Sequence, residues 1–217
     1  MCSVMILKVL LFVNAVYAAS LREIVENVFS HSDGTRITGM HSLDPVTLEH
    51  FHVLDEGVGS KTHYTNWKVT GFKNAIMSDY TENGENVKFT VKFDFIAEGP
   101  VRIEILDKDK SLEGNVKYEG GSTNHITFSY TKKKENDFDL YEIGHYNISC
   151  ESEHAKSTIA DDLRTALNND PDAKSKESDY EKNYKTEHQA KVVCAITKAV
   201  FHEYFENLQI LGRERNQ

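Results

Sequence analysis

The chain has 217 residues, 25 basic against 34 acidic, a net charge of −9 with histidine neutral, and a mean hydropathy of −0.51. This acidic balance opposes nucleic acid and anionic membrane surfaces as partners. Stable membrane insertion is not expected either, because no apolar run reaches the ~18 residues of a spanning helix.

Lys8 precedes the apolar run Val9–Val13, and Val16-Tyr17-Ala18 supplies the small residues that a signal peptidase reads. Residues 1–18 are therefore expected to be a signal peptide, and residues 19–217 one domain or two lobes sharing a core. Losing Lys8 leaves 24 basic and 34 acidic residues, a net charge of −10.

Ser20-Leu21-Arg22-Glu23 has the form of a capping box, in which Ser and Glu satisfy backbone N–H groups at a helix start. Leu21, Ile24, Val25, Val28 and Phe29 follow as one apolar stripe of about ten residues, too short to be stable unless docked. Residues 31–42 read as loop. Pro45 and Gly57–Gly59 bracket a strand at Thr47–Leu54, and Lys61–Phe72 forms the next, with Thr65, Trp67 and Val69 on one face. Val87–Ala97 is the clearest strand: Val87, Phe89, Val91, Phe93 and Phe95 alternate with Lys88, Thr90, Lys92 and Asp94. Gly99-Pro100 signals a turn, after which Val101, Ile103 and Ile105 alternate.

Asp107–Lys110 turns again and leads to a strand at Leu112–Tyr118. Gly120-Gly121 signals another turn. Ile126, Phe128 and Tyr130 then alternate before a charged hairpin tip at 132–137, and the last strand is Phe138–Ser149. Ser157 is placed to cap a helix through Leu167, which Asn168–Pro171 breaks. From Lys185 to Leu211 a long helix carries Val193, Ile196, Val200, Tyr204, Leu208 and Leu211 on one stripe. Ala190, Cys194, Phe201 and Phe205 form a second stripe. Apolar groups on more than half the circumference require a helix surrounded by sheet rather than lying on one.

The chain contains no G-x-S-x-G elbow, phosphate-binding glycine loop or H-E-x-x-H motif, so no catalytic residue and no cofactor is expected. His202-Glu203 lacks a further ligand at the right spacing. His50 and His52 share a strand face, a two-ligand arrangement, but nothing nearby in sequence suggests a third ligand. They read as exposed histidines at a sheet edge, with no metal.

The apolar inventory is richer. Trp67, Phe89, Val91, Phe93, Phe95, Ile103, Phe128, Tyr130, Val200, Phe201 and Tyr204 are the candidates to line a pocket between sheet and helix. Individually each is ordinary core material; together they exceed what a small domain needs. The hydroxyl of Tyr130 or Tyr146 is placed to hydrogen-bond a polar ligand atom. Once residues 1–18 are removed, Cys150 and Cys194 remain. In an oxidising compartment they are expected to pair, the alternative being two buried free thiols. Asn147-Ile148-Ser149 is a sequon and makes Asn147 a candidate glycosylation site.

The segment Leu43–Phe95, opening LDPVTL and continuing GVGSKTHYTNWKVTGFKN, resembles the insect haemolymph juvenile hormone-binding protein and takeout family. Leu167–Pro171 is similar to that family's LFNGDP turn, while residues 173–188 depart from its more hydrophobic pattern. The resemblance implies an α+β fold in which a highly curved antiparallel sheet wraps a long C-terminal helix, beside a short N-terminal helix. It implies a bridge between a late strand and that helix, where Cys150 and Cys194 fall. The family's other disulfide, near the mature N-terminus, has no counterpart here.

It further implies a monomeric, non-enzymatic carrier, secreted into haemolymph or a similar fluid. The ligand would be small and hydrophobic: juvenile hormone, another terpenoid or a fatty-acid-like molecule. Ile24, Val25, Val28 and Phe29 would form a lid over its cavity. The alternative is a wrapped-helix recognition module, similar to mite group 7 allergens, that binds a protein or a microbial lipid surface. A lipocalin is disfavoured, since no G-x-W motif occurs.

Overall fold

The apolar rows of the strands and the two stripes of the C-terminal helix bury one another. The computed structural model describes residues 20–30, 41–135 and 138–214. The expected signal peptide, most of the expected loop 31–42 and the tip of the charged hairpin lie outside the described residues. Helix α1 spans Leu21–Ser30, and strands β1 to β3 span Val46–Asp55, Ser60–Thr70 and Ile76–Asn83. Strands β4, β5 and β6 are long, at Asn86–Ile105, Lys110–Glu135 and Phe138–Ile159. Helices α2, α3 and α4 cover Asp161–Asn169, Pro171–Asp179 and Lys185–Glu214, with a π-helical turn, Tyr180–Tyr184, between the last two.

The strands form one antiparallel sheet of order β1-β2-β4-β5-β6, with β3 paired to β4 beyond the end of β2. Helix α4 packs against both outer strands of that order, β1 and β6, as well as against β5. A flat sheet could not bring both outer strands to one helix, so the sheet is curled into a half-barrel around α4. This is the wrapped-helix architecture expected from the helix circumference. Val192, Val193, Ile196, Val200, Phe201, Tyr204, Phe205 and Leu208 of α4 are all buried. Ser122 on β5 hydrogen-bonds Thr197 in this interface at 3.1 Å, which satisfies both hydroxyls.

The capping box forms as expected: Ser20 N–H donates to Glu23 Oε2 at 2.7 Å, and Glu23 N–H to Ser20 Oγ at 3.3 Å. The stripe that follows docks the helix. Phe29 stacks on Phe72 at 5.3 Å and meets Tyr204 at 4.7 Å, and the Tyr204 hydroxyl donates to Val25 O at 3.0 Å.

Two expected turns are instead interior strand positions. Gly99-Pro100 lies within β4, whose register on β5 runs unbroken from Asn86 to Ile105. On its other side β2 slips register between Tyr64 and Lys68, so no ladder bond is needed from Pro100 there. The Trp67 indole N–H takes the Pro100 carbonyl at 2.7 Å, and its ring occupies the space a side chain at Gly99 would need. Gly120-Gly121 likewise lies within β5, opposite Phe95 and Asp94. A side chain at Gly120 would meet Val193 of α4, so the glycine lets helix and sheet approach closely.

Because β5 continues through the glycines, its partner β6 runs on to Ile159, and Ser157 is a strand residue rather than a helix cap. The same slip in β2, with Asn66 in the left-handed region at φ 53°, turns Thr65 outward. Tyr64 and Thr62 take the inward positions instead. Strand β3 was not anticipated: only Met77 and Tyr80 of its mostly exposed sequence pack against the core, and a register shift between Ser78 and Thr81 breaks the period-2 row that would mark it.

Cys150 on β6 and Cys194 on α4 are joined by a disulfide across 44 residues. Replacing both with serine is expected to cost about 4 kcal/mol on the loop-entropy account. Calorimetry would show a lowered Tm with the low-temperature circular dichroism unchanged. An unchanged Tm would refute a stabilising role for the bridge.

Candidate functional site

The inward row of β4 has two fates. Its first part, Val87, Phe89, Val91, Phe93 and Phe95, is packed solid against α1, α4 and the Phe72 turn. Its continuation, Val101, Ile103 and Ile105, faces a cavity of about 190 Å³ near the N-terminal end of α4. Thr62 and Tyr64 of β2, Leu112, Val116 and Tyr118 of β5, and Ile159 of β6 complete the sheet side. Leu163 and Leu167 of α2, Ala173 and Lys176 of α3, Tyr180 of the π turn and His188 of α4 form the other wall.

The outer wall is pinned from its rim. Asp170 caps α3 by accepting from Ala173 N–H at 2.9 Å and pairs with Lys110 of β5. Lys176 Nζ donates to Val58 O at 3.0 Å and reaches Asp107 at 3.5 Å. The π turn follows directly. Such single-turn insertions are frequent at functional sites, and here Tyr180 from that turn lines the cavity.

One end of this apolar sleeve is polar. His188 Nδ1 lies 2.7 Å from Asp55 Oδ2, and Tyr64 Oη lies 3.4 Å from His188 Nε2. Lys191 Nζ lies 3.5 Å from the other Asp55 oxygen. A carboxylate only accepts, so the His188 Nδ1–H donates to Asp55 and Nε2 offers its lone pair to Tyr64. The Tyr64 and Tyr118 hydroxyls interact in turn. Burial pushes Tyr64, Tyr118 and Tyr180 above the ordinary phenol range, so all three remain protonated donors. Burial also lowers His188, against a smaller opposing pull from its Asp55 hydrogen bond. The arrangement is suited to holding a carbonyl or hydroxyl group among protonated phenols and an imidazole beside an otherwise largely apolar lining.

Of the eleven pocket candidates, Ile103 lines this cavity. Trp67, Phe89, Val91, Phe93, Phe95, Phe128, Val200, Phe201 and Tyr204 are buried in the packed core, and Tyr130 is half-buried at its margin. Tyr130 donates to Gly84 O at 3.1 Å, and Tyr146 pairs with His202 Nδ1 at 2.6 Å, so neither hydroxyl points into the cavity. The expected lid residues Ile24, Val25, Val28 and Phe29 are themselves core, docked beside Tyr204. Along α4 that is roughly 24 Å from His188, so α2, α3 and the π turn border the cavity instead. Asn147 is exposed on β6.

Sequence reasoning did not single out Asp55, Tyr64, Tyr118, Tyr180 or His188. A histidine among the apolar stripes of α4 was the one available signal.

Because His188 is depressed in the fold, the unfolded chain binds more protons in the window below the ordinary histidine value of about 6.5. Stability is therefore full above that value and falls as pH drops toward the lowered folded pKa. Thermal melts of wild type and His188→Gln between pH 7.5 and 5 should show the wild type losing more Tm on acidification. Equal losses would contradict a buried neutral imidazole.

Comparison with known proteins agrees with this architecture. No family model matches the chain. The juvenile hormone-binding protein of Manduca sexta is 23% identical over 176 residues, covering 79% of this chain and 76% of that protein. The crystal structure of Epiphyas postvittana Takeout 1 aligns with a TM-score of 0.65 at 16% identity, covering 86% of this chain and 87% of that one. The second likeness is one of fold; the first adds similarity of sequence over most of the same chain. Together they make this chain similar in sequence to a juvenile hormone-binding protein and similar in fold to a takeout protein.

Proposed function

We propose that the protein is a secreted, non-enzymatic carrier of a small hydrophobic ligand, held between the curled sheet and the N-terminal end of α4. The observation that carries this reading is the cavity of about 190 Å³, apolar along Val101, Ile103, Leu112 and Val116, with Tyr64, Tyr118 and His188 at one end. Pockets for drug-sized ligands run from about 300 Å³ upward. A cavity below that range suits a slender molecule with one polar group, such as a juvenile hormone-like terpenoid ester or a fatty-acid-like chain. The similarity to a juvenile hormone-binding protein supports the same class.

The working form would be a monomer of residues 19–217 in haemolymph or a similar fluid, after removal of the signal segment. Its sequon at Asn147 would be available for modification, since that side chain is exposed. The ligand would enter by parting α2 and α3 from the sheet, because these helices form the outer wall.

A fluorescent apolar probe displaced by terpenoid esters and fatty acids tests the reading. Saturable displacement with Kd below about 100 μM is expected. Ile103→Trp, which fills the cavity, should weaken it by roughly tenfold or more. Phe89→Leu, in the packed part of the same row, should lower Tm and leave displacement intact. Absence of saturable binding, or equal binding by Ile103→Trp, would overturn the proposal.

A further inference from the structure

The outer face of the sheet brings together a histidine cluster that the strand order alone assembles. His50 and His52 project from the exposed side of β1, and His63 of β2 stands directly opposite His52 in the ladder. The ring centroids form a triangle with sides of 5.6, 6.0 and 6.2 Å. His50 Nε2 is 3.3 Å from His63 Nδ1, and the other ring nitrogen of His63 is 3.1 Å from Glu104 Oε2 on β4.

These distances match a specific chemistry. Two imidazole nitrogens bound to one tetrahedral ion at ~2.0–2.1 Å each must lie about 3.3–3.4 Å apart. The His50–His63 pair already has that bite. Glu104 Oε2 faces His63 Nε2 at 3.1 Å as an ion-pair contact, on the opposite side of the ring from the nitrogen that meets His50. A carboxylate behind a ligating imidazole fixes its tautomer and orientation and raises its basicity.

The surrounding charges are mixed. Arg102 Nη2 lies 3.2 Å from the other Glu104 oxygen, and the charged form of His52 is disfavoured first by desolvation and then by nearby Lys61, His63 and His50. Both cations oppose a bound ion.

We propose that His50, His52 and His63 form a surface site for a borderline divalent transition-metal cation, Zn²⁺ or Cu²⁺ in type. His50 Nε2 and His63 Nδ1 are the first two donors, His52 joins by rotation of its side chain, and water completes the tetrahedron. Glu104 is the positioning partner of His63. The ion would cross-link the outer strand β1 to β2 on the face opposite the ligand cavity, so the site stands apart from carrier activity. A second group, His41 with Glu203 and Glu206, has ligand atoms within 4.8 Å of one another and serves as the internal competitor.

The test uses the full chain without an affinity tag, stripped by chelator and titrated with Zn²⁺ by calorimetry and with Co²⁺ by visible absorption. One equivalent of Co²⁺ should give the intense spectrum of a tetrahedral site. His50→Ala and His63→Ala should each weaken Zn²⁺ binding about 100-fold, and Glu104→Gln about 10-fold or more. Glu203→Gln/Glu206→Gln should leave it unchanged. His50 is exposed, so its variant reports on the site even if His63→Ala disturbs the sheet. No Zn²⁺ binding up to about 1 mM overturns the proposal. So does binding that survives His50→Ala and is lost with Glu203→Gln/Glu206→Gln.

Discussion

The structure depends on the burial of α4 by a sheet whose two outer strands both reach it. A helix apolar on more than one side cannot rest on a surface, since its far stripe would stay in water. The sheet resolves this by curling until β1 and β6 flank the helix. Curling also addresses the unpaired edges of those outer strands, because each edge is partly covered by the helix it encloses. The disulfide from Cys150 to Cys194 ties one flank to the helix covalently, and Asn207 ties the segment leading to the other. Its side chain takes both the N–H and the carbonyl of His41, at 2.7 and 2.8 Å.

From that constraint follows the division of the interior. Around the C-terminal half of α4, large rings fill the space: Phe29, Phe72, Phe93, Phe201 and Tyr204 contact one another at centroid distances of 4.7 to 6.2 Å. Docking of α1 completes this end. Around the N-terminal half, the aliphatic residues Val101, Ile103, Leu112 and Val116 leave room, and α2 and α3 roof it. The same alternating strand therefore supplies a packed core at one end and a cavity wall at the other.

The polar end of the cavity illustrates how a buried charge is tolerated. Asp55 is 3% exposed, yet its oxygens meet His188 and Lys191. Burying a carboxylate without such partners would cost several kcal/mol. With them, Asp55 holds His188 in the tautomer that accepts from Tyr64. On the opposite face of the same strands, the histidines face solvent. Strands β1 and β2 thus present two different chemistries, one on each side of a single sheet layer.

Much of the architecture was legible in the residues themselves. Period-2 alternation marked Val87–Phe95, a capping box marked the start of α1, paired stripes marked α4, and two cysteines marked the bridge. Each is a local pattern, and local patterns report which face of an element must be buried. Other features needed the assembled fold. Gly99-Pro100 and Gly120-Gly121 read as turns, because their roles lie in contacts with Trp67 and Val193 that no short window contains. The lid assigned to α1 rested on family likeness, whereas its position is decided by Phe29 meeting Phe72 and Tyr204.

The cavity and the histidine cluster are the clearest cases. Asp55 and His188 lie 133 residues apart, and Tyr64 lies 124 residues from His188. His63 comes to His50 only because β2 folds back on β1 in that register. The sequence by itself determined which faces are apolar and that a helix had to be enclosed. Only the tertiary structure decided which end of the enclosure stayed open and which polar groups met there. Pairing across strands and closure around a helix depend on distances between remote residues, which periodicity along the chain does not encode.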